Sequence, residues 1–291
     1  MDWLGLSLLC AFSLASADAL TKRYLADYTG GELLMVRFGL SGLLLAPGLW
    51  LVPLPATLAP AFWAWLALLV PLELAAMLFY VVAIRDAPLS HTLPYLAFTP
   101  VLTTVTGWVV LGEQVSARGF AGVMLVVAGA WILNLQPLAP QRPWSWLDPF
   151  RAIGRERGAR LMLATAAIYS ITAVMGKAAL GHATPASFGP FYFAVIGAVA
   201  LLVLPWREPR GWTALWRRPG ANLAVAALFA VMAITHFLAI AQIEVAYMIA
   251  VKRTSLVFGV IYGALLFGER ELAKSLLASG LMVAGVGLIV T

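Results

Sequence analysis

The chain has 291 residues, of which 62% are hydrophobic and only 11% are charged, and its mean hydropathy is +0.92. Soluble globular domains carry roughly 25% charged residues, so this composition excludes a water-soluble fold and predicts an all-α polytopic membrane protein. The net charge of +6 comes from Lys and Arg scattered between apolar runs, which argues against a nucleic-acid-binding protein, since that class gathers its bases in one stripe.

About ten apolar runs are long enough to cross a bilayer, which takes about 20 residues each. In chain order the predicted helices cover 3–20, 33–52, 61–84, 89–111, 119–136, 160–180, 187–205, 221–242, 245–267 and 275–290. Pro71 in the third helix, and Pro94 and Pro100 in the fourth, predict kinks or breaks because proline removes a backbone donor. The ninth contains no proline and is predicted to run through 245–267.

The longest connection, at about 137–159, separates two halves of the chain. It contains Trp144 and Trp146 together with Arg151, Arg155 and Arg157. Aromatic and basic residues of this kind are typical of segments that lie at a membrane surface. We therefore predict a first repeat at 1–136, an interfacial linker at 137–159 and a second repeat at 160–291.

An internal repeat defines the predicted architecture, since residues 83–133 align with 239–289 without a gap. The most specific match is Gly112-Glu113 with Gly268-Glu269, at the same helix end in each half. Five helices are an odd number, so two such repeats must lie in opposite orientations. This inverted arrangement is the plan of many alternating-access transporters.

Two segments carry a family resemblance: 111–129, from Leu-Gly-Glu-Gln to Val-Ala-Gly, and 267–285, from Phe-Gly-Glu-Arg to Val-Ala-Gly. They resemble the helix-loop-helix endings of the EamA-type, ten-helix members of the drug/metabolite transporter superfamily. The resemblance extends over nearly the whole chain. It implies that helices 1–4 and 6–9 surround a central cavity, that helices 5 and 10 are peripheral, and that the protein is a transporter.

A narrower resemblance concerns Lys252 and Arg253 in the ninth helix. The segment Ala250-Val251-Lys252-Arg253-Thr254-Ser255 is similar to the Lys-Arg pair of the triose-phosphate and nucleotide-sugar branch of the same superfamily. In that branch the pair contacts the substrate phosphate, so the resemblance implies an anion-binding role for these two residues.

Apart from Arg160, which is the first residue of the sixth predicted helix, six charged residues fall inside the predicted helices: Asp18, Arg37, Glu73, Lys177, Lys252 and Arg253. Ionised groups are costly in hydrocarbon, so they usually face a bundle interior or a wet cavity. One interpretation is that they only pair with each other, Asp18 with Arg37 and Glu73 with a base of the ninth helix. Two bases are then left over, and an anionic substrate is their natural complement.

Several uncharged or titratable side chains are further candidates for substrate contact. We include His91, Tyr95, Tyr247 and His236 in the predicted site, and Tyr169 belongs to the same wider group. His91 and Tyr247 occupy equivalent positions in the two repeats, and His236 could carry a coupling proton. Helix-helix hydrogen bonding is the alternative role for all of them.

The sequence therefore predicts a multi-pass inner-membrane secondary transporter of a small anionic metabolite, bearing phosphate or carboxylate, coupled to a proton, an exchanged solute or the substrate gradient. Alternatives are an exporter of amino acids or amphipathic drugs, and a flippase for a lipid-linked phosphate. An intramembrane enzyme is not predicted, since no His-Glu-x-x-His motif occurs, and no phosphate-binding loop indicates ATP use. No metal or cofactor is predicted, and the oligomeric state stays open, a homodimer included.

The distribution of bases predicts the orientation. Outside the helices, the even-numbered connections carry only Arg118, and every other Lys or Arg lies in an odd-numbered connection, beginning with Lys22 and Arg23. Basic loops remain in the cytoplasm, so we predict that the odd-numbered connections are cytoplasmic and that both termini lie on the outer face. Many relatives in the family are thought to have the opposite orientation.

Overall fold

The computed structural model describes residues 1–86, 93–134, 156–206, 211–267 and 272–291. All secondary structure in these ranges is helical. His91, most of the predicted linker and the second Gly-Glu pair, Gly268-Glu269, lie outside the described residues.

The first half begins with α1 (Trp3–Tyr24), which Asp2 caps by accepting a hydrogen bond from the Gly5 N–H at 2.9 Å. The second predicted helix is composite: α2 (Gly30–Leu34), a π-helical segment (Met35–Leu40), α3 (Ser41–Leu45) and α4 (Gly48–Leu51). The following helices are α5 (Pro60–Asp86), a 3-10 segment (Leu93–Phe98) that leads into α6 (Thr99–Leu111), and α7 (Ala117–Asn134).

The second half begins with α8 (Arg157–Leu180) and α9 (Pro185–Val203), which ends in a 3-10 turn (Leu204–Trp206). A short helix, α10 (Gly211–Arg217), precedes α11 (Pro219–Ile240). The last helices are α12 (Val245–Lys252), α13 (Ser255–Phe267) and α14 (Leu272–Val290).

Seven segments within the described ranges are long and apolar enough to cross a bilayer. They are Trp3–Tyr24, Gly30–Leu51, Pro60–Tyr80, Arg157–Leu180, Pro185–Trp206, Pro219–Ile240 and Val245–Leu266. Three shorter apolar helices, Tyr95–Leu111, Ala117–Leu133 and Leu276–Val290, lie where the fourth, fifth and tenth helices are predicted. These segments agree with the predicted polytopic helical membrane protein.

One prediction about helix continuity is corrected. The ninth helix is not continuous, because α12 ends at Lys252 and α13 begins at Ser255. Pro71 lies inside α5 and does not break it, and a kink at this residue stays a prediction. Pro94 and Pro100 do mark a change, since the fourth helix begins with a 3-10 turn and α6 has Pro100 in its first turn.

The chain forms two compact units, and each contains segments from both predicted repeats. The first unit comprises Met1–Pro71, Met175–Ile243 and Thr254–Arg270. In this unit α1 packs against α11 and α13, and α9 packs against the π-helical segment and α3. Its interior contains Phe38, Phe193 and Phe229, whose ring centroids lie 5.8–6.0 Å apart.

The second unit comprises Leu72–Val174, Glu244–Arg253 and Glu271–Thr291. In this unit α7 packs along α14, and α12 packs against α6. Its interior includes Tyr95 and Trp131, which meet edge to face at 6.0 Å. The repeat boundaries predicted from the sequence differ from these units and stay a prediction.

Candidate functional site

The basic pair of the ninth predicted helix lies at the point where that helix is interrupted. The last helical residue of α12 is Lys252, and the Arg253 N–H still donates to the carbonyl oxygens of Ile249 at 3.2 Å and Ala250 at 3.0 Å. Thr254 precedes α13 in the N-cap position, and its carbonyl accepts from the N–H of Val257 at 2.9 Å. Threonine is a favoured N-cap residue, so the sequence did contain a start signal at this point.

Lys252 lies near the carboxylate of Glu73, which comes from α5. Glu73 forms a side-chain hydrogen bond with Thr172 of α8 and interacts electrostatically with Lys252. Glu73 and Lys252 are both partly buried. Of the two bases in the ninth helix, Lys252 is therefore the one that interacts electrostatically with Glu73.

Arg253 has different neighbours, although it follows Lys252 directly. Its guanidinium interacts electrostatically with the hydroxyls of Tyr80 and Tyr169, and the Tyr169 hydroxyl contacts the Met77 sulfur at 3.9 Å. The Nε atom of Arg253 is buried and has no hydrogen-bond partner among the described residues. A buried donor without a partner is costly, about 1–3 kcal/mol, so this atom is a natural point for an incoming acceptor.

We call Glu73, Tyr80, Tyr169, Thr172, Lys252 and Arg253 the basic cluster, and all six belong to the second unit. Tyr80 and Thr172 were not predicted as site residues. Their spacing is a usable signal, because Tyr80 follows Glu73 by two helical turns and Thr172 follows Tyr169 by three residues, which places each pair on one helix face. Tyr80 also packs against the interior that contains Tyr95 and Trp131.

A second charged group lies in the first unit, around Arg37 in the π-helical segment. Arg37 Nη2 lies 2.6 Å from Asp18 Oδ1 and donates to Thr21 Oγ1 at 3.1 Å. The guanidinium carbon is 5.6 Å from the centroid of the Phe229 ring. The expected pairing of Asp18 with Arg37 is thus found, although the Asp18 side chain is still 49% exposed.

Lys177 and His236 also belong to the first unit and not to the basic cluster. Lys177 Nζ donates to the carbonyl oxygen of Ile243 at 2.7 Å. The His236 ring meets that of its neighbour Phe237 edge to face at 5.0 Å. The hydrogen bond of Lys177 ties the last turn of α8 to the Ile243 carbonyl, and it does not indicate that Lys177 binds a ligand.

Tyr247 is engaged at a helix junction, together with the first Gly-Glu pair. Its hydroxyl accepts from the Ser116 N–H at 3.0 Å. Gly112 ends α6 with a φ of 69°, a left-handed conformation that glycine adopts without strain. Glu113 Oε2 then accepts from the Val245 N–H at 2.8 Å and so caps α12. These contacts give the Gly-Glu motif a structural role in joining α6, α7 and α12.

The described residues contain no group of three or more His, Cys, Asp or Glu side chains that could hold a metal ion. The basic cluster is suited instead to binding an anion reversibly. It offers a guanidinium, an ammonium and hydroxyl donors, and a planar guanidinium matches carboxylate or phosphate oxygens in two-point contacts.

Comparison with known proteins gives a family match and matches to solved structures. The model of the EamA-like transporter family matches residues 1–135 and, a second time, residues 156–291. One solved structure, whose title reads only "Crystal structure of protein", aligns with 98% of this chain. The alignment covers 94% of the solved chain, with 15% sequence identity and a TM-score of 0.69. That likeness establishes the fold alone. Comparison with curated protein sequences gives no match.

Proposed function

Because the chain belongs to the EamA-like transporter family, we propose that it is a secondary transporter that moves a small anionic metabolite by alternating access. The proposal includes ten membrane-spanning helices in two inverted five-helix repeats and a location in the inner membrane. The double match of the family model supports two related halves.

The observation that carries the anionic substrate is the environment of Arg253. Glu73 compensates Lys252, whereas Arg253 is next to tyrosine hydroxyls and has no carboxylate partner in the described part of the chain. A positive charge in a membrane interior needs a counter-charge. A phosphate or carboxylate of the substrate would provide that charge and would also accept from the unpartnered Nε.

A second candidate is an exporter of amino acids or cationic amphiphiles, and the exposure of Asp18 favours it. This carboxylate is paired with Arg37 but is 49% exposed, so one side of it is open to a further cation. In this interpretation the ammonium group of a substrate would contact Asp18. The change Asp18→Asn would then abolish the binding of cationic solutes and leave the binding of anionic solutes unchanged.

The first experiment identifies the ligand class. Purified protein would be screened by thermal shift against inorganic phosphate, a hexose phosphate, di- and tricarboxylates, zwitterionic amino acids and a quaternary ammonium. Binding to the native state raises the melting temperature, and we expect the largest rise with a phosphate or carboxylate. A rise confined to the quaternary ammonium would contradict the anionic substrate.

The second experiment tests the residues in proteoliposome counterflow, with the best ligand of the screen as the labelled solute. Arg253→Ala should weaken binding by about thirtyfold or more, because truncating one partner of a buried charged hydrogen bond costs about 2 kcal/mol or more. Arg253→Lys keeps the charge and should retain part of the affinity. Arg118→Ala is the matched control, since Arg118 is exposed and bonds the Thr291 carbonyl. Equal counterflow in all variants would exclude Arg253 as a ligand.

A further inference from the structure

The short helix α10 lies between two membrane-spanning candidates. The first ends at Trp206 and the second begins at Pro219, so only twelve residues, 207–218, join them. A connection this short cannot leave the vicinity of the bilayer surface, since the chain reaches at most about 3.3–3.6 Å per residue.

One side of α10 is fixed to the first unit. Ala214 and Leu215 are buried. The carbonyl oxygen of Ala214 accepts from the Tyr28 hydroxyl at 3.0 Å and from the side-chain amide of Asn222 at 2.9 Å, and that amide also donates to the Leu215 carbonyl at 3.0 Å. Asn222 is fully buried, so α10 has a defined rotation about its axis.

The other side of α10 exposes large aromatic side chains. Trp212 and Trp216 are four residues apart, which places them on one face of the helix, and they are 51% and 79% exposed. Trp206, at the end of the preceding helix segment, is 88% exposed. Tryptophan is enriched at the membrane-water interface because its ring is apolar and its N–H seeks a polar partner.

The basic end of α10 is largely neutralised by acids of the same unit. Arg217 lies 3.2 Å from Asp27 and 3.8 Å from Glu32, and Arg218 lies 2.7 Å from Asp27. Arg217 also stacks over the Tyr28 ring at 4.1 Å. These two bases and two acids cancel, so α10 itself, apart from Arg207 and Arg210 before it, has no net charge to attract anionic lipid, and aromatic burial must provide its attraction to the membrane.

We propose that α10 is a membrane-surface helix whose Trp212 and Trp216 insert into the headgroup layer of the bilayer, independently of lipid charge. The proposal rests on membership of a membrane-protein family and not on the substrate. It therefore stands or falls separately from the anion-binding role of Arg253.

The test uses spin labels, since Cys10 is the single cysteine and can be replaced by serine. Labels would be attached at Trp216→Cys and, separately, at Trp212→Cys, so that one tryptophan always remains. A water-soluble nitroxide that is not attached to the protein serves as the water control, and Val231→Cys, 39% exposed in the middle of α11, serves as the bilayer-core control. The protein would be reconstituted in phosphatidylcholine vesicles with and without phosphatidylglycerol.

We expect the ratio of oxygen to nickel-chelate accessibility at 212 and 216 to lie between the ratios of the two controls, and to be equal in both vesicle types. Ratios equal to that of the free nitroxide would place α10 in water and overturn the proposal. Ratios equal to that of position 231 would place it in the hydrocarbon and also overturn it. A ratio that rises only in vesicles with phosphatidylglycerol would contradict the proposal, because it would show that charge attraction, and not aromatic insertion, holds α10 at the membrane.

Discussion

At the scale of single residues, the charged groups in the helices show which pairings a sequence can predict. The pairing of Asp18 with Arg37 can be predicted from the free-energy cost of burying a charge, because an ionised side chain in hydrocarbon is stabilised by an opposite charge. The choice of Lys252 over Arg253 as the partner of Glu73 does not follow. Adjacent helical residues point about 100° apart, and only the packing of α5, α8 and α12 decides which of them faces Glu73.

Asp18→Asn should destabilise the protein. The change removes the charge from the 2.6 Å contact with Arg37, which costs about 1–2 kcal/mol, a value reduced from that of a buried pair because Asp18 is half exposed. The melting temperature in detergent would measure the loss. Asp2→Asn is the control, because it also removes one acid next to α1 but retains a good N-cap residue. Equal melting temperatures for the two variants would contradict a stabilising role for the pair.

At the scale of helices, the positions of apolar segments were predictable, but their internal irregularities were not. The interruption after Lys252 contains neither proline nor glycine, so the strongest breaking signals are missing there. The π-helical segment around Arg37 has no sequence signature of its own. Both irregularities place a base at a helix distortion, and π-helical turns occur often at functional sites.

Glu113→Ala should loosen the start of α12. The carboxylate accepts from the Val245 N–H, and loss of a helix cap costs about 1 kcal/mol. Hydrogen exchange of the amides in the first turn of α12 should accelerate. Glu244→Ala is the matched control, since Glu244 occupies the N-cap position without a side-chain capping bond. If both variants exchanged alike, the capping role of Glu113 would be wrong.

Gly285→Ala should separate α7 from α14. A Cβ atom at this position would lie 2.6 Å from the Gly122 carbonyl oxygen, whereas one at Gly287 would meet nothing within 4 Å. Both Gly→Ala changes improve helix propensity equally. The difference in stability between the two variants therefore measures the cost of overpacking alone, about 1–3 kcal/mol. Thermal unfolding of the two variants measures it, and we expect Gly285→Ala to melt at the lower temperature. The reverse order would mean that the two backbones are not in contact.

At the scale of the whole molecule, composition was sufficient to predict the fold class. The repeated Gly-Glu motif was sufficient to indicate the family resemblance. Substrate identity cannot be read in the same way, because it depends on a few side chains whose positions are set by packing between distant segments. Tyr80 and Thr172 belong to the basic cluster only because α5 and α8 bring them to Arg253 and Glu73.

The orientation predicts the labelling of intact cells. In a variant with Cys10 replaced, a cysteine at position 291 should react with a membrane-impermeant thiol reagent, because the even-numbered connections and both termini are predicted to lie outside. A cysteine at Ala26, in the first connection, should react only after the membrane is permeabilised. The opposite labelling would reverse the orientation, and would agree with the arrangement thought to hold for many family relatives.

The π-helical segment Met35–Leu40 also has a consequence for changes in chain length. Its turn contains one residue more than an α-helical turn, so the flanking parts of the second helix keep their directions if one residue is deleted there and the turn becomes α-helical. The same deletion in the regular helix α11 would rotate everything after it by about 100°. A shortened second helix would thus keep the bond from the Ser41 hydroxyl to the Ala226 carbonyl, while the direction of Arg37 would change.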